Sequence, residues 1–210
     1  MILERMTASG RDGSHVKLEF SDGSALRVPV TLVADLGLYA HQELDEAAME
    51  QLHARAGQAS ARERAVRIVS SAAVSEKMLE QKLVHRGESP EDARAAATWL
   101  KELGAVDDRD MARRVVENSI RKGYGKNRIR GELYAKGVPR EYWDEALADL
   151  PDFSNAIDDF LERRFRTRPV NDREIKKAAD ALARRGHSWE NISAALRRME
   201  ENRTEEDRDS

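Results

Sequence analysis

Arg109, Arg113, Arg114, Arg121, Lys122, Lys126, Arg128, Arg130, Lys136 and Arg140 share one segment with only three carboxylates, Asp110, Glu117 and Glu132. The local charge there is +7, in a chain whose formal net charge is −3. Guanidinium and ammonium groups in such density attract a polyanion over long range and displace the counterions condensed on nucleic acid. On a helix, Arg114, Arg121 and Lys122 fall near one face at spacings of seven and eight, while Lys126, Arg130 and Gly137 recur at fours and sevens. The plainer alternative is a solvated face with ion pairs such as Glu117 with Arg121. A second cluster, Arg163, Arg164, Arg166 and Arg168, stands at the end of a helical pattern, where cations also favour the helix dipole. Tyr124 lies between two glycines. Either its ring is exposed at a turn, ready to stack on a partner, or it packs over an interhelix corner. Trp99, Trp143 and Trp189 hold no common place in the sequence pattern and are expected to fill cores.

Other chemistries find little support. With no cysteine there is no disulfide, no thiolate nucleophile and no cysteine-based zinc or iron–sulfur site. His15, His41, His53, His85 and His187 are scattered, and no pair has the three- or four-residue spacing of two ligands on a helix face, so no metal is expected. Asp107 and Asp108 precede a helical pattern and read as its cap. Gly10-Arg11-Asp12-Gly13 leads into a strand pattern, which is the wrong context for a phosphate loop, and there is no nucleophile elbow. The expectation is a non-enzyme with no catalytic residue, metal or cofactor. No apolar stretch reaches the roughly 18 residues of a membrane span, and Met1 does not lead into a signal-like core, so a soluble cytoplasmic protein is expected.

The elements that must position the cations begin with a period-two N-terminus. Val16, Leu18 and Phe20 alternate with polar residues, as do Leu26, Val28 and Val30, and Ser21-Asp22-Gly23-Ser24 between them supplies a hairpin turn. Ile2 to Met6 suggests a third strand across Gly10 to Gly13. A helix over Asp45 to Ala56 covers the sheet, with Gly57 expected as its stop. From about Ser60 the pattern is helical and repeats about every fifty residues on Gly87, Gly137 and Gly186. Each glycine follows a leucine four residues earlier (Leu83, Leu133, Leu182) and an adjacent base (Arg86, Lys136, Arg185). Each precedes a helix-start signal, at Ser89, Pro139 and Ser188, and then an apolar pair: Ala97 and Leu100, Leu147 and Leu150, Leu196 and Met199. Preceding helices over Ser60 to Ser71, Asp107 to Ser119 and Ser154 to Arg166 complete three modules. Units this small are expected to stack.

The fold class is therefore mainly α, with three tandem three-helix repeats in an elongated curved solenoid and a small N-terminal antiparallel β-hairpin or sheet plus helix. The expected segments are 1–58 (hairpin and helix), 59–105, 106–151 and 152–200 (repeats), and 201–210, an acidic tail expected to be disordered. Pro151 suggests a hinge before the third repeat.

The run Leu100-Lys101-Glu102-Leu103-Gly104-Ala105-Val106-Asp107-Asp108 is followed by Ala112, then by Gly123-Tyr124-Gly125-Lys126-Asn127-Arg128-Ile129-Arg130-Gly131-Glu132-Leu133 and Lys136-Gly137-Val138. In order and spacing this resembles the signature of the RecX family, and the three-fold repeat extends the likeness to about residue 200. The third module departs most, with Ala178 and Ala181 near Leu182 where the second has larger residues. The acidic tail has no counterpart in the family pattern. The resemblance implies a monomeric modulator that binds RecA nucleoprotein filaments, spans neighbouring subunits inside the groove and suppresses ATP hydrolysis, filament growth and strand exchange in recombination, repair and the SOS response. Single- or double-stranded DNA would be contacted weakly or through RecA, and the N-terminal sheet would set placement or partner range. The residues expected to meet RecA or DNA are Arg113, Arg114, Arg121, Lys122, Tyr124, Lys126, Arg128, Arg130, Lys136, Arg163, Arg164, Arg166, Lys176 and Lys177. The competing reading is a stand-alone helical DNA-binding protein that uses the basic face of repeats 2 and 3.

Overall fold

The structure, a computed structural model, describes residues 1–10 and 13–206, the last three of these by backbone alone. Two compact units divide the chain, Met1–Val106 and Asp107–Ser210.

In the first unit, strands β1 (Ile2–Ser9), β2 (His15–Phe20), β3 (Ala25–Pro29) and β4 (Gln42–Glu43) form an antiparallel sheet in the order β3-β2-β1-β4. The hairpin register sets Leu18 against both Met6 and Leu26, so one face of the pleat collects the apolar residues. Leu3, Leu18, Phe20, Val28, Leu32, Leu44, Leu52 and Ala56 form the core beneath it. The third strand exists, and runs further than Met6. Val30 is not in a strand: the chain leaves the sheet at Pro29 and turns into the short helix α1 (Val30–Asp35), which sequence reading missed. Proline at the end of an edge strand has no N–H to continue a ladder and starts a helix well.

Helix α2 (Glu46–Ser71) corrects the expected stop at Gly57, because it runs unbroken through 26 residues and across the expected boundary at 58. A stopping glycine needs positive φ, and Gly57 does not have it. Instead, a Cβ on Gly57 would lie 2.7 Å from Asp92 Oδ2, so its bareness admits the start of α4 (Pro90–Glu102). The N-terminal half of α2 gives Leu52 and Ala56 to the sheet core. Its C-terminal half gives Ala61, Ala65 and Ile68 to a second core with Leu79 and Leu83 of α3 (Glu76–His85) and Ala93, Ala96, Ala97 and Leu100 of α4. Trp99 packs on the margin of this core with the Arg62 guanidinium 5.2 Å from its ring centre.

The second unit holds α5 (Asp108–Arg121), α6 (Lys126–Ala135), a single 3-10 turn at Arg140–Tyr142, α7 (Trp143–Ala146), α8 (Ser154–Phe165), α9 (Asp172–Arg184) and α10 (Trp189–Glu206). The repeat seen in sequence has a physical basis. After Leu83, Leu133 and Leu182, the glycine takes positive φ (93°, 68° and 85°) and the next N–H bonds back to that leucine's carbonyl at 3.1–3.2 Å. The three leucines are fully buried. This is the Schellman ending, which satisfies the orphaned carbonyls of each helix. Ser89 and Ser188 then cap the following helices through Asp92 N and Asn191 N, and Asp107 caps α5 through Asp110 N.

The repeats are not equal, however. The helix after Gly137 amounts to a 3-10 turn and the four residues of α7, leaving Leu147 and Leu150 beyond it. Pro151 has no N–H for the Leu147 carbonyl and pushes Leu150 out of helical geometry. Trp143 compensates by entering the core and donating Nε1 to the Val138 carbonyl at 3.0 Å. Trp189, expected in a core, is 68% exposed. The α10 helix runs to Glu206, into the segment expected to be disordered, since Glu and Arg are good helix formers; residues 207–210 lie outside the described residues.

Where the Pro151 hinge was expected, Phe153 packs on both the α5–α7 core and the α8–α10 core. The two modules also meet corner to corner. Gly125 N donates to the Arg185 carbonyl at 2.9 Å and Asn127 N to the Gly186 carbonyl at 3.1 Å. A Cβ on Gly125 would fall 2.4 Å from Gly186 O, and one on Gly186 only 2.2 Å from Arg128 N. Backbone cannot yield at those distances. Gly186→Ala is therefore expected to cost about 3 kcal/mol in urea unfolding, from overlap plus positive φ, whereas Gly57→Ala, whose only close neighbour is a swinging carboxylate, should stay within about 1 kcal/mol of wild type. Equal losses at the two positions would refute the backbone interlock.

Candidate functional site

The corner interlock shapes an open groove of about 690 Å³ in the second unit. One wall is the end of α5 and its corner, Ile120 to Gly123; the other is α8 and the residues after it, including Ala156, Asp159, Phe160, Arg163, Arg164, Thr167 and Arg168; Arg185 enters from the end of α9. Six cations, Arg121, Lys122, Arg163, Arg164, Arg168 and Arg185, face a single carboxylate, Asp159.

Their states differ. Arg163 folds back on its own helix, with Nε on the Asp159 carbonyl at 3.0 Å and Nη2 4.0 Å from the Asp159 carboxylate. Arg164 and Arg168 both donate to Glu174 Oε2 at 3.2 Å, and Lys177 donates to Glu174 Oε1 at 2.6 Å. That single carboxylate ties α8 and the turn after it to α9, and its hydrogen bonds from Lys177 and Arg168 hold the Glu174 pKa down to about 2. Arg121, Lys122 and Arg185 pair with no carboxylate among the described residues. Arg121 bonds Asn118, not Glu117; Lys122 lies 6.0 Å from the Tyr124 ring centre, and Arg185 stacks 5.0 Å over Phe160. Ring contacts at Lys122 and Arg185 and an amide contact at Arg121 orient these groups while leaving their charge uncompensated. The arrangement can bind anions, and a chain of phosphates or carboxylates suits it better than a single ion because the cations line an open trough.

Of the residues expected from sequence, the groove collects Arg121, Lys122, Arg163 and Arg164 and leaves the others elsewhere. Arg113 and Arg114 are both held by Asp110, one turn or less away, and Arg128 pairs with Glu132 at 2.9 Å. Arg166 pairs with Glu162 at 3.6 Å, Lys177 with Glu174, and Lys176 is exposed on α9. Lys126 and Arg130 stand exposed on α6, which contributes nothing to the groove, and Lys136 ends that helix. Tyr124 is half-buried on the α5–α6 corner with Arg128 5.5 Å from its ring centre, so of its two readings the packed one describes it. Arg168, seen in sequence only as a member of the second basic cluster, lines the groove, and Arg185 belongs to it without having been expected there. The only sign of Arg185 was its repeated place before a corner glycine, from which its reach across to another module is not legible. Among the described residues no group of histidines and carboxylates is placed to hold a metal ion, and no helix is long and apolar enough to cross a membrane.

His187, next to the groove, closes the corner. Its Nε2 donates to the Gly123 carbonyl at 3.1 Å, its ring meets Phe153 edge-on at 5.8 Å, and its Nδ1 is buried with no partner. Burial pushes the imidazole below its ordinary value; the Gly123 carbonyl opposes this and the Arg185 charge adds to it.

Comparison with known proteins places these features in context. A family model described as "RecX, second three-helix domain" matches residues 107–147. The chain is 40% identical over 125 residues to the regulatory protein RecX of Xanthomonas axonopodis pv. citri (strain 306), covering 59% of this chain and 77% of that protein. To the regulatory protein RecX of Cronobacter sakazakii (strain ATCC BAA-894) it is 36% identical over 154 residues, covering 66% and 91%. In fold it is similar to a crystal structure of regulatory protein RecX, with TM-score 0.66 and 22% identity over 93% of this chain and 99% of that one. It is also similar to RecX from Lactobacillus salivarius, with TM-score 0.60 and 17% identity over 69% and 97%.

The corner makes a pH prediction. The unfolded imidazole titrates near 6.5, and the folded one takes its proton only at lower pH, so the unfolded state binds more protons in between. Stability should be at its full value above about pH 6.5, fall as pH drops through the folded value and level off below it. His187→Gln, which keeps a donor for Gly123 O but cannot titrate, should flatten that slope in urea unfolding between pH 7.5 and 5. An unchanged slope would show that His187 is not its source.

Proposed function

Because the chain belongs to the RecX family of regulatory proteins, we propose that it binds in the groove of the RecA nucleoprotein filament and restrains ATP hydrolysis, filament extension and strand exchange, with no catalysis of its own. The observation that carries the reading is the groove in which six cations face one carboxylate. A RecA filament has nucleic acid along its axis, so a ligand entering from outside approaches a line of phosphates, and an open cationic trough can follow such a line where a closed pocket cannot. Arg121, Lys122 and Arg185 are the principal contacts, since their charge is not already spent on carboxylates. Arg163 and Arg164 line the trough along α8 in a secondary role, since Asp159 and Glu174 already compensate part of their charge. The expected contacts Arg113, Arg114, Arg128 and Arg166 contribute less, because each must first release a neighbouring acid.

The test is the DNA-dependent ATPase of RecA with the full chain in stoichiometric excess. Hydrolysis should fall severalfold, and an unchanged rate sinks the proposal. The combined variant Lys122→Gln, Arg163→Gln, Arg185→Gln should inhibit at least tenfold less well, and its salt dependence of filament binding should flatten by about one unit of logarithmic slope per cation removed. Tight, steeply salt-dependent binding to DNA with RecA absent, without effect on the ATPase, would instead favour the stand-alone DNA-binding reading.

A further inference from the structure

Helix α6 carries a glycine that nothing among the described residues requires. Gly131 is exposed, its φ is not positive, and a Cβ built on it would meet nothing within 4 Å. After proline, glycine is the poorest helix former, so an alanine or glutamine at this position would stabilise the isolated protein. The contrast with Gly125, Gly186 and Gly57 is plain, because at each of those the missing side chain makes room for a neighbour within the fold. At Gly131 the room is kept empty.

What surrounds the gap defines an occupant. Ile129 and Leu133 are fully buried, which turns Asn127, Arg130, Gly131 and Tyr134 outward together at helical spacing. Tyr134 is 72% exposed, the most exposed of the large hydrophobic side chains among the described residues. Arg130, and Lys126 one turn before it, pair with no carboxylate among the described residues, although Arg128 on the same helix is paired with Glu132. The face thus offers a notch with bare backbone, an aromatic ring at one side and two uncompensated cations at the other.

We propose that this face of α6 is a docking site for an acidic segment of a protein partner, whose backbone or small side chain seats at Gly131 against the Tyr134 ring while its carboxylate meets Arg130. Charge complementarity selects an acidic occupant. A protein fits better than nucleic acid, because the phosphate-matched row of cations lies in the groove, to which α6 contributes no residue, and a notch flush with the helix backbone admits a polypeptide at close range. The identity of the partner rests on the function proposed above: the groove holds the nucleic acid, and α6 grips the RecA protein beside it.

Gly131→Gln and Tyr134→Ala in the full chain test this, since neither changes charge. Gly131→Gln should melt at or above the wild-type temperature, by roughly 2–4 °C, because a better helix former replaces glycine. Its affinity for RecA filaments should nevertheless fall at least tenfold, as should that of Tyr134→Ala, while the affinity of both for DNA alone stays unchanged. If Gly131→Gln binds filaments as the wild type does, the docking site is refuted and the regulatory reading survives. A parallel loss of affinity for DNA alone would assign the face to nucleic acid and overturn the proposal. A wild type that fails to bind filaments would sink the regulatory reading and this site with it.

Discussion

Two glycines in backbone contact organise the second unit. At Gly125 and Gly186 the chain passes close enough that neither position has room for one more carbon, and the Gly125 and Asn127 N–H groups donate to the Arg185 and Gly186 carbonyls. Packing of side chains alone would let two small helical modules slide or rotate. Direct backbone contact, closed by His187 on the Gly123 carbonyl, joins these corners with directional bonds. Consequently Arg185 stands beside Gly123 and Lys122, and cations from α5, α8 and α9 share one trough.

Charge is distributed around that trough by the same economy of short-range contacts. Many arginines in the basic segment are compensated by an acid within a turn, as Arg114 is by Asp110 and Arg128 by Glu132. Exposed pairs of this kind add little to stability, yet they lower the field that a polyanion would feel. What remains for a partner is the subset whose neighbours are aromatic rings, amides or nothing at all. The surface is therefore patterned less by where arginines occur than by where carboxylates are absent. Glu174 has a different part: it draws Arg164, Arg168 and Lys177 onto one carboxylate and so braces the α8–α9 turn that forms the groove's outer wall.

The first unit uses glycine and alanine for closeness in another way. Along α2, Gly57, Ala61 and Ala65 present almost no side chain, so α4 lies tightly against a helix that also roofs the sheet. A single long helix serves two cores, which makes the sheet and the first three-helix set parts of one packed body. In sequence the same glycine looked like a stop, because a helix end and a helix crossing both favour a residue without Cβ. Only the backbone angle distinguishes them.

Local chemistry was legible from the residues alone. Period-two alternation identified the hairpin, the Leu-base-Gly punctuation identified three corners, and Ser89, Asp107 and Ser188 marked helix starts, because capping, turning and amphipathic patterning act over a few neighbours in the chain. Through the corner signature, family membership was legible too. What sequence could not assign was which glycine makes room for another segment, which arginine finds an acid, that Trp189 lies outside while Trp143 fills a shortened module, or that Arg168 and Arg185 complete the groove. Each of these depends on groups distant in sequence arriving within a few ångströms. Burial, charge compensation and backbone contact are properties of such meetings, and tertiary structure alone decides them.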